Sequence, residues 1–389
     1  MQKPIAKSLT QGIFGLASLF LLLTCQPREP FFRQLPPEAT GIRFVNEVRD
    51  TDSLNILNHI YFYNGGGVAI GDINNDGLQD IFFTANHKGR NKLYLNKGNL
   101  TFEDITAKAG VAGQSDWNTG VTMADINADG WLDVYVCGVN VPGRLRSRNE
   151  LYINNRNGTF SEQAARYGLD FQGHSTQAAF FDFDKDDDLD CFLLNHSLNL
   201  NDYYQDTSAR RKVDLISGNQ ILINSPHPTS PQGVFFSLPL GEGWGGAFYR
   251  SNLSYGLGVS IGDLNNDGWD DIYVANDFRE NDYCYLNNGN GTFSEEGNRL
   301  FGHHSRFSMG CDMADYNNDG RLDVITLDML PADETVLKSS LGDDFSDVYD
   351  FKRSFGYYYQ FSRNCLHEAP TQPPPKGEGL KSLLLGRGL

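Results

Sequence analysis

Five stretches of this chain space oxygen-bearing side chains two residues apart, so that alternate residues of a tight loop face one centre. Positions 1, 3, 5 and 9 are Asp72, Asn74, Asp76 and Asp80 in the first, and Asp125, Asn127, Asp129 and Asp133 in the second. The third carries Asp182, Asp184, Asp186 and Asp190, the fourth Asp263, Asn265, Asp267 and Asp271, the fifth Asp315, Asn317, Asp319 and Asp323. Carboxylate and amide oxygens are hard donors, and with a main-chain carbonyl at position 7 they form a set suited to Ca2+ rather than to a softer metal. Position 6 is Gly77, Gly130, Gly268 and Gly320, where a sharp turn needs a permissive backbone. The third loop departs there with Asp187, a residue type that enters the left-handed region more readily than most. Position 12 is Phe83 in the first loop and Val274 in the fourth, not Glu, and no helical pattern flanks the loops, which excludes an EF-hand. One such loop alone is equally an Asx-rich turn without metal; five in-phase copies point to up to five structural calcium ions.

The charge balance supports that assignment. The net charge is -17, yet once the sixteen aspartates at ligand positions are set aside, the remaining 33 acids balance 32 basic residues. So acidic a chain excludes nucleic acid and an anionic membrane surface as partners. At calcium tenfold above a typical extracellular Kd, each site contributes about 1.4 kcal/mol, and five contribute about 7 kcal/mol, comparable with the stability of a whole domain.

The loops are positioned by strands. The first aspartates recur at intervals of 53, 57, 81 and 52 residues, a period that means repeated supersecondary units rather than independent domains. Each loop is preceded by an apolar run and followed by another, such as 81–84 and 272–274. A second apolar strand ending in Asn comes next, at 92–96, 150–154, 220–224 and 283–287. A third signal, NLTFED or NGTFSE, follows at 99–104, 157–162 and 290–295. Four short strands per unit is the content of a propeller blade, and no long helix fits anywhere in the pattern.

The segments GVAIGDINNDGLQD, GVTMADINADGWLD and GVSIGDLNNDGWDD, with the LYLN and NGTF strands, resemble the FG-GAP/VCBS repeat proteins, whose calcium loops also occur in the integrin α-subunit propeller and in cartilage acidic protein. The resemblance covers 41 to about 368 and implies an all-β, seven-bladed propeller with calcium loops, used at cell surfaces in adhesion or glycan binding. Five loops rather than seven make this an incomplete propeller of about five blades. The third unit lacks its NGTF strand and carries an irregular insertion at 225–248, and the repeat breaks after 364–368 into a Pro/Gly-rich tail, 369–389, with no strand period. Both odd segments contain GEG and read as inserted repetitive sequence, the second one truncating the protein.

At the other end, Lys3 and Lys7 precede an apolar stretch, 13–23, and then Leu22-Leu23-Thr24-Cys25. This resembles a bacterial lipoprotein signal, too short to span a bilayer. The expected organisation is a signal at 1–25 with Cys25 lipidated, a linker at 26–40 and the repeat domain at 41–368, displayed on the bacterial outer membrane or cell surface and touching the membrane only through its N-terminus. The other cysteines, Cys137, Cys191, Cys284, Cys311 and Cys365, form no CxxC pair, and Cys137, Cys191 and Cys311, inside apolar runs, read as buried thiols.

No catalytic motif is present. Two connections are long, about 196–219 and 329–363, and hold the remaining polar and aromatic candidates. Tyr357, Tyr358 and Tyr359 pack across the blade face or stack on sugar rings. His196, His303 and His304 stand in no GxSxG or HExxH framework. The reading is a calcium-stabilised binding or adhesion module with a glycan or protein ligand. Its rivals are a polysaccharide lyase or hydrolase built on Tyr203, Tyr204, Arg210 and Arg211, and a truncated fragment without function.

Overall fold

The computed structural model describes residues 32–198, 214–224, 236–237, 250–277, 280–329, 331, 333–339, 346–354, 357–369 and 381–384. The chain divides into two units, Met1–Thr40 and Gly41–Leu389. The described part of the first holds a one-turn helix, Pro37–Thr40.

Among the described residues the framework of the second unit is all-β: five antiparallel sheets, each with one loop between its first two strands, and a two-stranded parallel pair, His304–Ser305 with Gln360–Phe361. The first runs Val68–Gly71, Asp80–Phe83, Lys92–Asn96, Phe102–Asp104, and the second Asn118–Ala124, Asp133–Gly138, Glu150–Asn154, Phe160–Glu162. The fourth runs Gly256–Gly262, Asp271–Asn276, Tyr283–Asn287, Phe293–Glu295. In all three, chain order is sheet order, the meander of a blade. The register is common to all five sheets: the residue before each loop pairs with position 9, as in Gly71 with Asp80, Ala124 with Asp133 and Gly262 with Asp271.

Position within the stack explains the composition of the second strands. Asp133–Gly138, Asp190–Asn195 and Asp271–Asn276 lie inside their own sheets and between two neighbouring sheets, and all six residues of each are buried. Both faces must then be apolar, so these strands read as continuous runs rather than alternating ones. The cores lie at the junctions. Phe82, Leu93, Val121 and Val134 join the first two sheets, and Tyr135, Leu151, Cys191 and Leu193 the second and third. Phe183, Phe192, Ile272 and Tyr285 join the third and fourth, and Tyr273, Cys284, Val324 and Cys311 the fourth and fifth. Beyond the first sheet the pattern stops: Val68 and Ile70 are 56% and 61% exposed, whereas Val121, the counterpart of Val68, is 7% exposed.

Adjacent first strands are also stitched by hydrogen bonds. Thr119 Oγ1 donates to the Ser175 carbonyl (2.7 Å), Thr122 Oγ1 to Ala178 (2.6 Å) and Thr176 Oγ1 to Gly256 (2.9 Å). Close approach demands glycine at one such point, since a Cβ on Gly120 would collide with the Thr176 carbonyl.

The two irregular units are completed in unexpected ways. In the third sheet, Ser175–Phe181, Asp190–Asn195 and Gly218–Ile223 are followed by Phe236–Ser237, with Arg250–Leu253 also pairing on Gly218–Ile223. In the fifth, Ser308–Ala314, Asp323–Asp328 and Cys365–Glu368 are joined by Lys381–Leu384. That last strand corrects the expectation of a tail without strands at 369–389: its four residues pair antiparallel with Cys365–Glu368 although their sequence has no alternation to announce it. The long connection before Cys365 contains helices Glu334–Ser339 and Ser346–Ser354, and one-turn helices follow the fourth strands at Thr106–Ala109, Ala164–Tyr167 and Gly297–Leu300. The five thiols are free; Cys137 and Cys191 are buried as expected, Cys311 is only partly buried, and Cys284 and Cys365 are buried as well.

A second inter-sheet tie is made by the Asn that ends the third strand. Asn154 Nδ2 donates across the junction to the Ile73 carbonyl (2.8 Å) and within its sheet to Leu132 (3.1 Å), whereas Asn96 Nδ2 reaches only Gln79 of its own sheet. Asn154→Ala orphans a buried carbonyl in the neighbouring sheet and is expected to lower stability by about 2 kcal/mol, against about 1 kcal/mol or less for the half-exposed Asn96→Ala. Denaturant midpoints of the two variants in calcium buffer check the difference.

Candidate metal loops and the opposite rim

Each loop is a hairpin wound around its own first aspartate. The position 1 carboxylate accepts the N–H groups of positions 5 and 6: Asp72 from Asp76 (3.1 Å) and Gly77 (2.7 Å), Asp125 from Asp129 (2.9 Å) and Gly130 (2.7 Å), Asp263 from Asp267 (3.0 Å) and Gly268 (2.8 Å), Asp315 from Asp319 (2.9 Å) and Gly320 (2.8 Å). The third loop does the same, Asp182 accepting from Asp186 and Asp187 (3.1 Å each). Asp187 stands at φ 70°, so the departure from glycine leaves the turn intact. Position 4 is left-handed as well, at Asn75, Ala128, Lys185, Asn266 and Asn318; for Ala128 and Lys185 nothing in the residue type announced it.

Position 9 does something different from positions 1, 3 and 5. Asp80, Asp133, Asp190, Asp271 and Asp323 are all buried, and each carboxylate bridges two main-chain N–H groups, one at loop position 2 and one at or just past the end of the third strand. The pairs are Ile73 and Asn96 (3.0 and 2.7 Å), Ile126 and Asn154 (3.1 and 2.8 Å), Phe183 and Asn224 (3.3 and 2.9 Å), Leu264 and Asn287 (3.0 and 2.8 Å), and Tyr316 and Ala369 (3.2 and 2.8 Å). Burial pushes Asp133 and Asp271 up to about 7 and Asp190 to about 8, with the neighbouring loop carboxylates adding to the shift. A nearby divalent cation supplies what such carboxylates lack, a compensating charge.

The donor set fits a hard cation most clearly in the third loop. Asp182, Asp184 and Asp190 offer carboxylate oxygens that lie within 4.8 Å of one another. Asp188 at position 7 turns a fifth carboxylate toward them, and one oxygen each of Asp184 and Asp188 is buried without a hydrogen-bond partner. In the other four loops position 3 is Asn, whose Oδ1 accepts the position 5 N–H instead.

Residues 72–136 and 263–326 match the FG-GAP-like repeat family, and these two spans contain the first, second, fourth and fifth loops. The chain carries FG-GAP-like repeats in these two spans. It is 34% identical over 134 residues to cartilage acidic protein 1 of Xenopus tropicalis, covering 34% of this chain and 20% of that one. To the Homo sapiens protein it is 33% identical over 156 residues, covering 40% and 22%. It therefore spans about a fifth of the length of these curated relatives. A solved structure of an Agrocybe aegerita lectin, described as recognising non-reducing terminal N-acetylglucosamine, superposes with a TM-score of 0.41 at 15% identity, over 82% of this chain and 65% of that one.

The other candidates lie on the rim opposite the loops. Tyr357 is buried and Tyr358 partly buried, its N–H donating to Asn281 Oδ1 (3.3 Å), so both serve packing. Tyr359 is 39% exposed with the Arg353 guanidinium 3.7 Å from its ring centre. Tyr203, Tyr204, Arg210 and Arg211, and Cys25, lie outside the described residues. His196, His303 and His304 are buried and are not presented to a substrate.

Sequence reasoning missed His367. It is fully buried against Phe301 and His303, with ring centroids 4.8 and 5.5 Å away. Burial, and then the neighbouring His303, push its imidazole down to about 3. A histidine with a lowered folded-state pKa contributes stability that is complete above about pH 6.5 and is lost as pH falls below it. From pH 6.5 to 5 the wild type is expected to lose about 2 kcal/mol through this residue, a loss absent in His367→Gln. Chemical denaturation of both proteins across that interval checks the difference, because the other titrating groups are common to them.

Proposed function

We propose that this chain is a calcium-braced binding module of the cell surface, its ligand a glycan or a protein. The observation that carries the reading is the convergence of the third-loop carboxylates within 4.8 Å, on a loop whose main-chain geometry the other four reproduce. Like charges so close oppose the fold unless a cation holds them together, and hard oxygen donors at this spacing select Ca2+. The residues that would hold it are the aspartates and asparagines at positions 1, 3, 5 and 9 of each loop; the ion supplies charge neutralisation and cross-linking of the hairpin, not chemistry on a substrate. Display through lipidation at Cys25, on a bacterial outer membrane, belongs to the same proposal.

The binding surface is assigned to the rim opposite the loops. The loop rim is spent on structural turns, whereas on the other rim Tyr359 offers an exposed aromatic face edged by a cation, the pairing that stacks on sugar rings or protein anchors.

Thermal unfolding of the chain is expected to be cooperative in millimolar calcium and to shift down by at least about 5 °C with chelator. A midpoint indifferent to calcium sinks the proposal. Asp184→Ala and Asp188→Ala are expected to remove more of the calcium response than Asn74→Ala, because the third loop holds the densest charge. Tyr359→Ala is expected to weaken binding to the best ligand of a glycan array by roughly tenfold while leaving the calcium-dependent midpoint in place; unchanged binding moves the ligand site elsewhere.

A further inference from the structure

Two buried histidines, His59 and His196, and a partly buried one, His174, lie on the rim opposite the loops, each brought by a different stretch of backbone. His174 immediately precedes the first strand of the third sheet and His196 immediately follows its second strand; the His196 N–H donates to the His174 carbonyl (3.0 Å), and the two ring centroids are 6.3 Å apart. His59 comes from the stretch before the first sheet, with its ring edge-on to Trp117 at 5.3 Å. Tyr61 of the same stretch lies edge-on to His196 at 4.5 Å.

The ring nitrogens are what set this group apart. His196 is 1% exposed and neither of its nitrogens has a hydrogen-bond partner; His59 is 3% exposed and its Nδ1 has none; the buried Nδ1 of His174 has none. Each buried polar atom left unpaired costs about 1–3 kcal/mol, so each of the three imidazoles has a nitrogen that gains from a ligand. Burial lowers all three imidazoles; neighbouring histidines add to the lowering of His59 and His196, whereas Asp214 and main-chain hydrogen bonds act the other way on His174, and the balance favours the uncharged form, which carries a lone pair. Neutral imidazole nitrogen is the donor of choice for borderline divalent metals and a poor one for Ca2+.

We propose that His59, His174 and His196 form a binding site for a transition-metal dication of the Zn2+ or Cu2+ class, separate from the oxygen-lined calcium loops. Two imidazoles on one tetrahedral ion, with metal–nitrogen bonds of about 2 Å, hold their ring centres roughly 5–6 Å apart. The rings of His174 and His196 stand at 6.3 Å and the ligand nitrogens of the three histidines do not lie within 4.8 Å of one another, so binding requires the rings to rotate toward a common ion. Local charge favours the assignment. Asp214, its carboxylate tied to the N–H groups of Ile216 and Ser217, is the charged group that acts on His174, and its negative charge favours a cation. The histidine cluster of the fifth unit has the opposite setting: His303 faces the Arg363 guanidinium, which opposes a dication. A metal held by His59, His174 and His196 would pin the stretch before the first sheet onto the third sheet.

The test is titration of the full chain with ZnCl2 in saturating calcium, for the wild type and for His174→Gln, His196→Gln, His59→Gln and His87→Gln, the last an exposed control. Wild type and His87→Gln are expected to bind Zn2+ equally, with His174→Gln and His196→Gln weaker by at least about tenfold. Electron paramagnetic resonance of the wild type loaded with Cu2+ is expected to show nitrogen splitting from imidazole, a readout that stands even where a buried variant fails to fold. Zinc affinity unchanged across the variants, no zinc uptake in saturating calcium, or a copper spectrum of oxygen ligands alone overturns the proposal.

Discussion

A carboxylate that holds two main-chain N–H groups at once is the interaction on which this structure rests. At position 9 of every loop the aspartate joins the hairpin, through position 2, to the end of the third strand, so three of a sheet's four strands are fixed by one side chain. The cost is a buried negative charge, and its size shows in Asp133, Asp190 and Asp271, each driven up to about 7 or 8. The loops add to that cost. Positions 1 and 5 bring further carboxylates beside the buried charge, and the left-handed turns at positions 4 and 6 fold them back over it.

Much of this was legible in the residues, for a physical reason. A ligand loop of fixed spacing followed by a strand of fixed length leaves a period, and Lys92–Asn96, Glu150–Asn154 and Tyr283–Asn287 begin and end where the apolar runs with terminal Asn indicated. The double role of position 9 was not legible, because an Asp that serves as a bracket and an Asp that only offers an oxygen to an ion have the same spacing. Nor was the strand at Lys381–Leu384, since an outer strand is specified by pairing with Cys365–Glu368 and its own sequence carries no period. The one-turn helices at Thr106–Ala109 and Ala164–Tyr167 are too short to show a helical repeat, although the left-handed glycines after them, Gly110 and Gly168, were visible as residues.

The histidines divide in the same way. A sequence shows His196, His303 and His304 as isolated residues with no catalytic frame, and burial removes them from contact with substrate. What folding adds is company: His196 is brought beside His174 and His59, and His367 beside His303, across separations in sequence that no motif spans. The chemistry available to an imidazole is set by which charge it then faces, a carboxylate in one cluster and a guanidinium in the other.

Because four of the five hydrophobic clusters among the described residues lie between two successive sheets and no core runs through all five sheets, cooperativity in this molecule is passed from neighbour to neighbour. The second, third and fourth sheets are clamped from both sides, whereas the first shows Val68 and Ile70 to solvent. Opening is therefore a zipper that starts at a margin and travels inward, and amide protons of the first sheet exchange through smaller excursions than those of Asp190–Asn195. The same logic makes the array tolerant of damage: a lesion such as the irregular third unit weakens two junctions and leaves the others to hold.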